Sequence, residues 1–163
     1  DKISNVLTKT DKHTLKYKTY SQAQPKEINL SEIAFVEIWD NGENRKVEYF
    51  EVVGQDRYVG VEKVMQGKNI EIYSIDYAYT NTMAGGMTMS GVATNYYVKK
   101  NDEKKVNFIG NYDAIRGQFK IRVHEYFSDC PVLIKKLNEK EIRLRDGFRN
   151  IAEFYINNCE YQK

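Results

Sequence analysis

The sequence is poor in the residues on which most recognisable sites depend. It has two His, two Cys, two Pro and one Trp among 163 residues, and no apolar run reaches the roughly 18 residues that a membrane-spanning helix requires. No Cys-x-x-Cys, His-x-x-x-His or His-Glu-x-x-His spacing occurs, which excludes the common zinc motifs. No Gly-x-Ser-x-Gly segment occurs either, so a standard serine hydrolase lacks its nucleophile. The sequence therefore favours a protein that is not an enzyme and that needs no cofactor or metal.

An excess of charge of one sign is also lacking. The formal net charge is +2, from 25 Lys and Arg against 23 Asp and Glu. A nucleic-acid-binding domain concentrates Lys and Arg on one face, whereas here acidic residues interrupt or flank the short basic pairs Lys99-Lys100, Lys104-Lys105 and Lys135-Lys136. Such pairs are typical of a solvated surface. The charge pattern thus argues against nucleic acid as a dedicated partner.

Tyrosine is abundant, with 13 residues, and apolar and polar residues alternate repeatedly through the first two-thirds of the chain. A period of two is typical of strands with one buried face, where a Tyr ring packs while its hydroxyl reaches water. The turn residues Asp40-Asn41-Gly42 and Gln66-Gly67-Lys68 separate consecutive strands. The predicted strands are Thr14–Tyr20, Ile33–Trp39, Lys46–Val53, Tyr58–Met65, Asn69–Tyr79, Thr94–Lys99 and Lys105–Ile109.

After Gly110 the apolar period changes from two toward 3.6, which predicts helices. In the second predicted helix, Asp129 is expected to cap the N-terminus, and Pro131 suits the first turn because its missing N–H has no partner there. A last helix is expected after Asp146. The apolar stripe of the first helix is Ile115, Phe119, Val123 and Phe127.

These patterns predict an α+β fold. An antiparallel β meander or partial barrel, about residues 12–110, packs with C-terminal helices at about residues 112–158. No Pro-, Gly- or Ser-rich linker separates the β region (1–110) from the helical region (111–163). A chain of this length fits one domain of ordinary size, so we expect a single domain over residues 1–163.

The two cysteines leave two alternatives open. Cys130 lies just before one predicted helix and Cys159 lies near the end of another, and the Lys140–Asp146 connection lets the chain turn back between them. A disulfide would add about 3–4 kcal/mol of stability by restricting the unfolded chain. Two separate buried thiols are the alternative. A catalytic thiol lacks a base, because the chain has only two His.

A tyrosine stripe is the first candidate binding surface. Tyr73, Tyr77 and Tyr79 lie on one face of a single predicted strand, and Tyr96 or Tyr97 joins them from a neighbouring strand. Such a stripe can stack on sugar rings or on the side chains of a peptide. The alternative is a half-buried sheet surface that lies under a helix.

A glycine- and methionine-rich stretch from Met83 to Gly91 is the second candidate. Met83, Met87 and Met89 could hold Cu(I) through their thioether sulfurs, or they could form an adaptable surface that binds a partner. The simplest interpretation is a hairpin excursion whose methionines cover part of the sheet or lie exposed. The stretch is not a phosphate loop, since no Gly-Lys-Ser/Thr follows it and a strand rather than a helix comes next.

Among the acidic residues, Asp76 is distinctive because Ile75 and Tyr77 flank it in an apolar strand. A glycosidase needs two carboxyl groups across a cleft, and burial with a raised pKa would mark such a group. Most other strand carboxylates lie beside Lys or Arg, where a cross-strand charge pair accounts for them. Asp76 is therefore the carboxylate whose burial would support a hydrolase.

The C-terminal third of the chain resembles a known group of proteins. Tyr126-Phe127-Ser128-Asp129-Cys130-Pro131 and Ile151-Ala152-Glu153-Phe154-Tyr155-Ile156-Asn157-Asn158-Cys159 are similar to the ending of small exported proteins common in the Bacteroidetes, and residues 57–73 and 95–100 look like strand segments of the same group. The resemblance implies a signal peptide, a β-rich region and a helical tail, and hence a periplasmic or outer-surface location. Ile156 departs from the usual Tyr-Asn pair, and the glycine-rich stretch has no counterpart. The group is uncharacterised, so no catalytic residue carries over.

The leading hypothesis is thus an exported cell-envelope protein that acts as a non-enzymatic binding or interaction module. The first residues, Asp1-Lys2-Ile3-Ser4-Asn5, fit a processed start and agree with export. The expected partner is a protein or a glycan of the envelope. The alternatives are an envelope hydrolase that acts on glycans, and a carrier of small molecules or lipids if the strands enclose a cavity.

Overall fold

The structure, a computed structural model, describes residues 7–10, 12–17, 24–40, 42–82, 85–111 and 116–160. The chain divides into two compact units, Asp1–Glu62 and Lys63–Lys163. Strands of antiparallel sheets come first along the chain and helices follow near the C-terminus, so the predicted α+β class is confirmed. The expectation of a single domain stays a prediction.

The first unit contains two short strands that the sequence analysis missed, β1 and β3. Strands β1 (Leu7–Thr10), β2 (Thr14–Tyr17) and β3 (Lys26–Asn29) form a three-stranded antiparallel sheet in that order. A 3-10 helix at Leu30–Glu32 follows. Strands β4 (Phe35–Asp40), β5 (Glu43–Glu51) and the first part of β6 (Tyr58–Gln66) are then antiparallel neighbours in that order.

Two sets of buried apolar side chains lie in the first unit. Leu15, Leu30 and Tyr49 form one cluster, with partly buried residues packed against them, and Val52, Val59 and Val61 are also buried. Tyr49 lies opposite Gly60 in the β5–β6 register, and a Cβ added to Gly60 would lie only 2.9 Å from the Tyr49 ring. The tyrosine ring therefore covers the glycine, and burial of such a large ring stabilises this pair of strands.

The second unit contains the longest strands and all the α-helices of the described residues. The end of β6 is followed by β7 (Ile70–Thr82), β8 (Thr88–Lys100) and β9 (Asn107–Gly110), and these strands are neighbours in sequence order. Three helices follow: α1 (Arg116–Tyr126), α2 (Pro131–Asn138) and α3 (Phe148–Asn158). A 3-10 helix at Leu144–Asp146 precedes α3.

The core of the second unit lies between one face of the sheet and the helices. Ile72 and Val98 are opposite each other in the β7–β8 register, so they share a face, and both are buried in this core. The predicted stripe of α1 is buried at Phe119 and Val123, while Ile115 lies outside the described residues. Burial of each such side chain is worth roughly 1.5–3 kcal/mol. The other buried members of this cluster are Ile70, Ile109, Phe127, Cys130, Leu133, Leu137, Phe148, Ile151, Ala152 and Tyr155.

Helix α2 begins at Pro131 as expected, but the expected cap is wrong. The N-cap residue is Cys130, whose Sγ accepts a hydrogen bond from the Leu133 backbone N–H at 3.4 Å. Asp129 instead accepts hydrogen bonds from the Lys100 ammonium and the Tyr155 hydroxyl, each at 2.9 Å. Two charged or polar partners outside the helix therefore attract the carboxylate away from the helix terminus.

Cys130 and Cys159 are joined by a disulfide, the first of the two alternatives that the sequence left open. The next residue, Glu160, is buried and accepts two backbone hydrogen bonds at 2.7 Å, from the N–H groups of Lys68 and Asn69. Gly67 leaves room for this carboxylate, because a Cβ at that position would collide with it. The end of α3 is thus attached to α2 by a covalent bond and to the β6–β7 turn by hydrogen bonds.

Candidate functional site

The second unit contains a long β-hairpin, formed by β7 and β8. The two strands pair from Ile70 opposite Lys100 to Thr82 opposite Thr88. The turn contains Gly85 and Gly86, whose φ values of 108° and 82° favour glycine. We call residues 75–82 and 85–95 the distal hairpin; the rest of the two strands lies against the helices and is largely buried.

The distal hairpin is almost free of charge. Between Glu71 and Lys99 the sequence has a single charged residue, Asp76, although 29% of the whole chain is charged. Protein interfaces are depleted of charged residues at their centres and enriched in Tyr and Met. This gap in the charge pattern is visible in the sequence and is the signal that the sequence analysis missed.

The distal hairpin has one mainly apolar face. Residues that are opposite each other in the register share a face, so Ile75, Tyr77 and Tyr79 of β7 lie on the same side as Met89 and Ala93 of β8. We call these five residues the apolar face. Ile75, Tyr79 and Met89 are exposed, Met89 to 51%. The apolar face is therefore accessible to a partner.

The opposite face of the distal hairpin is more polar, apart from one valine. Thr80, Ser90 and Thr94 belong to this face together with Ala78 and Val92. Val92 is 70% exposed, the largest exposed fraction among the large hydrophobic side chains of the described residues. The exposure of Val92 could not be predicted from the sequence, because a lone valine between Gly91 and Ala93 belongs to no pattern that indicates exposure.

Two of the predicted surface tyrosines are not at the surface. Tyr73 is completely buried, and its hydroxyl donates a hydrogen bond to Glu71 at 2.9 Å. Tyr96 is partly buried and packs against the helices, with its ring centroid 5.1 Å from that of Phe148. Both tyrosines lie in the proximal part of the hairpin, where neighbouring elements cover the sheet, so neither belongs to the exposed distal hairpin.

The other two tyrosines lie in the distal hairpin. The Tyr77 hydroxyl accepts a hydrogen bond from the Asn111 side-chain amide at 3.0 Å, and its side chain is half-buried. Tyr79 is 39% exposed and lies opposite Gly91, where a Cβ on the glycine would be only 2.9 Å from the Tyr79 hydroxyl oxygen. The Tyr79 ring therefore covers Gly91 and fills the face of the hairpin at that point.

The methionines are divided between described and undescribed residues. Met87 and Met89 are exposed, and Met83 lies outside the described residues. Met89 belongs to strand β8 and Met87 directly precedes it, so the hairpin extends further than the sequence analysis predicted. The Cu(I) interpretation stays a prediction. Within the described part of the chain, no group of three His, Cys, Asp or Glu side chains could hold a metal.

Asp76 does not have the surroundings that a hydrolase carboxyl group would need. Its side chain is exposed, and it accepts a hydrogen bond from the Thr94 hydroxyl at 2.6 Å across the strands. The apolar neighbours Ile75 and Tyr77 point to the opposite face, so they do not bury it. The burial that would have supported a catalytic role is absent at this residue.

The half-buried Glu71 is engaged in a charge cluster. It accepts hydrogen bonds from the ammonium groups of Lys63 and Lys99 and from the Tyr73 hydroxyl. Burial alone would raise its pKa, but these three hydrogen bonds outweigh that effect and lower the pKa to about 2. Glu71 is therefore ionised at neutral pH, and it is fully occupied in joining neighbouring strands.

A second polar cluster lies beside a cavity of about 320 Å³. Burial alone would raise the pKa of Asp129, but the hydrogen bonds from Lys100 and Tyr155 lower it. Burial and the hydrogen bond to Asp129 raise the pKa of Tyr155. Lys100, Asp129, Tyr155 and the buried Glu160 all line the cavity, and all four already have polar partners. The polar groups that line the cavity are thus engaged in structural hydrogen bonds and do not form a set of reacting groups.

A further carboxylate, that of Glu103, has a similar structural role. It accepts hydrogen bonds from the Lys100 backbone N–H, the Asn107 amide and the Tyr126 hydroxyl, the last at 2.9 Å. Burial and the hydrogen bond to Glu103 raise the pKa of Tyr126. The half-buried carboxylates described here are therefore occupied by local partners, which leaves the distal hairpin as the strongest candidate site.

Comparisons with known proteins found no match to the chain among family models, curated proteins or solved structures. No helix of the described residues is long and apolar enough to cross a membrane. The candidate site is thus defined by its geometry and by the charge pattern of the sequence.

Proposed function

We propose that this protein is a non-enzymatic interaction module that binds a partner protein through the apolar face. One observation carries the proposal: a 13-residue pair of strands extends into a distal hairpin with a single charged residue and with exposed Ile75, Tyr79 and Met89. Exposed apolar side chains that cluster in this way are typical of interaction sites. Rigid Tyr and adaptable Met side chains suit contact with a protein surface.

A protein partner fits the apolar face better than a glycan does. A sugar-binding site combines aromatic rings with polar groups that fix the orientation of the hydroxyls. Here Gly91 is directly opposite Tyr79, Met89 and Ala93 are its diagonal neighbours on the same face, and the Tyr77 hydroxyl is already bonded to Asn111. The surface therefore offers apolar contact area but few free polar groups.

We also propose that the protein acts outside the cytoplasm, in the periplasm or on the outer surface of the cell envelope. The support is the disulfide between Cys130 and Cys159, because disulfides persist in oxidising compartments and are rare in the cytosol. The resemblance to small exported Bacteroidetes proteins agrees with this location. The hydrolase and carrier alternatives have no such support among the described residues.

Site-specific photo-cross-linking in the native host tests the proposed function. A benzophenone amino acid in place of Tyr79 should give one dominant protein adduct, which mass spectrometry identifies. The matched control is the same substitution at Ile121, a 55% exposed residue of α1, and it should not give that adduct. With the identified partner purified, Met89→Lys should weaken binding at least about 10-fold, since it places an unpaired charge in an apolar contact. Identical adducts from both positions would contradict the proposal.

A further inference from the structure

Among the described residues, the outer edge of strand β8 has no partner strand along its distal half. In that part of the structure β9 pairs with Tyr96–Val98, whereas β7 pairs with the whole length of β8. From Thr88 to Asn95, no strand of the described residues lies on the other side of β8. We call residues 88–95 the β8 edge. Eight extended residues span about 27 Å, which is long for an uncovered edge.

The β8 edge lacks the features that usually prevent strands from pairing. Proteins protect exposed edges with Lys, Pro, bulges or inward-pointing charges. The β8 edge consists of Thr, Met, Ser, Gly, Val, Ala, Thr and Asn, with neither a charge nor a proline. Its side chains include the highly exposed Val92 and Met89. Such an edge is a template for the addition of one more strand.

We propose that the added strand is the β8 edge of a second copy of this chain, paired antiparallel about a two-fold axis. In a symmetric antiparallel pair the residue at the axis faces its own copy, and the residues on either side of it face each other, so an edge with charges of one sign would repel itself. The β8 edge is free of charge along its whole length and can therefore pair with itself. Symmetric dimers are also the commonest oligomers of soluble proteins.

The alternation of side chains restricts the register of this pair. Facing residues must lie on the same side of the sheet, so the two-fold axis lies midway between two copies of the same residue. Near the middle of the edge this residue is Gly91 or Val92. With the axis at Val92, the two copies of this valine lie directly opposite each other. Each is 70% exposed in the single chain. This register buries the most exposed apolar side chain of the edge.

The dimer goes beyond the proposed function, because its contacts are the backbone hydrogen bonds of the strand edge rather than side-chain contacts of the apolar face. Pairing of the two edges joins the two β7–β8 hairpins in one continuous sheet. The apolar faces of the two copies then lie side by side. A dimer would thus present two partner sites in one surface.

The test is the molar mass of the full chain in solution, measured by sedimentation at about 100 µM, where a micromolar Kd leaves most chains paired. The wild-type chain should have twice its 19.1 kDa mass. Val92→Lys and Val92→Glu should each weaken pairing at least about 100-fold and be monomeric, because like charges face each other. An equimolar mixture of the two variants should be dimeric again. Ile121→Lys, at another exposed apolar residue, should leave the dimer intact.

Three results would overturn the dimer. They are a monomeric wild-type chain at this concentration, a Val92→Lys variant that stays dimeric, and a mixture of the charged variants that stays monomeric. Circular dichroism of each variant shows that it is folded, which is expected because Val92 is mostly exposed. If the wild type is monomeric while Tyr79 cross-links to a different protein, the dimer fails and the proposed function stands. If the wild type is dimeric while Tyr79 cross-links to no different protein, the dimer stands and the proposed function fails.

Discussion

Single residues of the second unit are used for two different purposes. Glu160 and Glu71 are acidic residues that hold the fold together, through two backbone N–H groups in one case and two ammonium groups in the other. Exposed residues such as Met89 and Val92 have no comparable role in the core. The sequence does not separate these purposes, since the partners that hold the Glu160 carboxylate lie about 90 residues away along the chain.

Gly67 gives a prediction at this scale. Gly67→Ala should lower the free energy of unfolding by about 1–3 kcal/mol, because the added methyl displaces the Glu160 carboxylate from its two backbone N–H partners. Urea denaturation measures the change. Gly117→Ala is the control: beyond its chain neighbours and the backbone of α1, nothing lies within 4 Å of the added methyl, and the higher helix propensity of Ala should stabilise the protein by up to about 1 kcal/mol. Equal effects of the two changes would refute the role given to Glu160.

At the scale of elements, most strands and all three helices could be predicted from periodicity, while the hairpin length could not. The alternation through Ile70–Tyr79 predicted β7, and the spacing of Phe119, Val123 and Phe127 predicted α1. The end of the hairpin was missed because Gly91 and the Gly85-Gly86 pair are typical of loops. The strand register places Tyr79 opposite Gly91, and the Tyr79 ring covers the glycine. This contact makes a glycine compatible with a strand, and it is not visible in the sequence.

The candidate site, too, could be predicted from the sequence only in part. Tyr79, Met87 and Met89 are exposed, whereas Tyr73 is buried and Tyr96 is partly buried; that the exposed residues bind a partner stays a prediction. All four tyrosines of the stripe look alike in sequence, and the difference comes from helices and strands that cover only the proximal part of the hairpin. Tertiary packing decides which part of a long hairpin is covered, and the alternation of apolar and polar residues does not indicate that packing.

The Glu71 cluster gives a prediction for the strands that it joins. The folded-state pKa is about 2 against an ordinary value of 4.5, so Glu71 contributes about 2–3 kcal/mol of stability above pH 4.5, and this contribution is lost as the pH falls toward 2. Glu71→Gln should therefore be less stable than the wild type at pH 7, and the difference should shrink between pH 4.5 and 2. Thermal unfolding across this pH range measures it.

A matched control separates this effect from the general loss of a carboxylate. Glu153→Gln removes an exposed carboxylate of α3 that pairs with Arg149 at i,i+4. An exposed pair of this kind contributes little, so the change in stability should stay below about 0.5 kcal/mol. A Glu71→Gln variant that differs from the wild type by the same amount at every pH would contradict the cluster as the source of the acid sensitivity.

At the scale of the whole molecule, the chain combines one disulfide with one nearly uncharged hairpin. The disulfide closes a loop with a sequence separation of 29, and the chain-entropy relation assigns such a loop about 3–4 kcal/mol. This amount is a large share of the stability of an ordinary domain. The stability of the protein should therefore depend on the redox conditions of its compartment.

Replacement of both cysteines tests this dependence. Cys130→Ser with Cys159→Ser should lower the free energy of unfolding by about 3–4 kcal/mol, and a serine at the first position retains an oxygen that can cap α2. Wild-type protein in excess dithiothreitol should unfold at the same urea concentration as the double variant. If reduction leaves the urea midpoint of the wild type unchanged, the disulfide does not have this role.

The bond between Glu160 and the β6–β7 turn has a consequence for synthesis. The turn leaves the ribosome 91 or 92 residues before the side chain that completes it, a delay of roughly 5–20 s at ordinary elongation rates. Until then the N–H groups of Lys68 and Asn69 have water as their partner. The β6–β7 turn therefore reaches its final hydrogen bonding only after translation of the last helix.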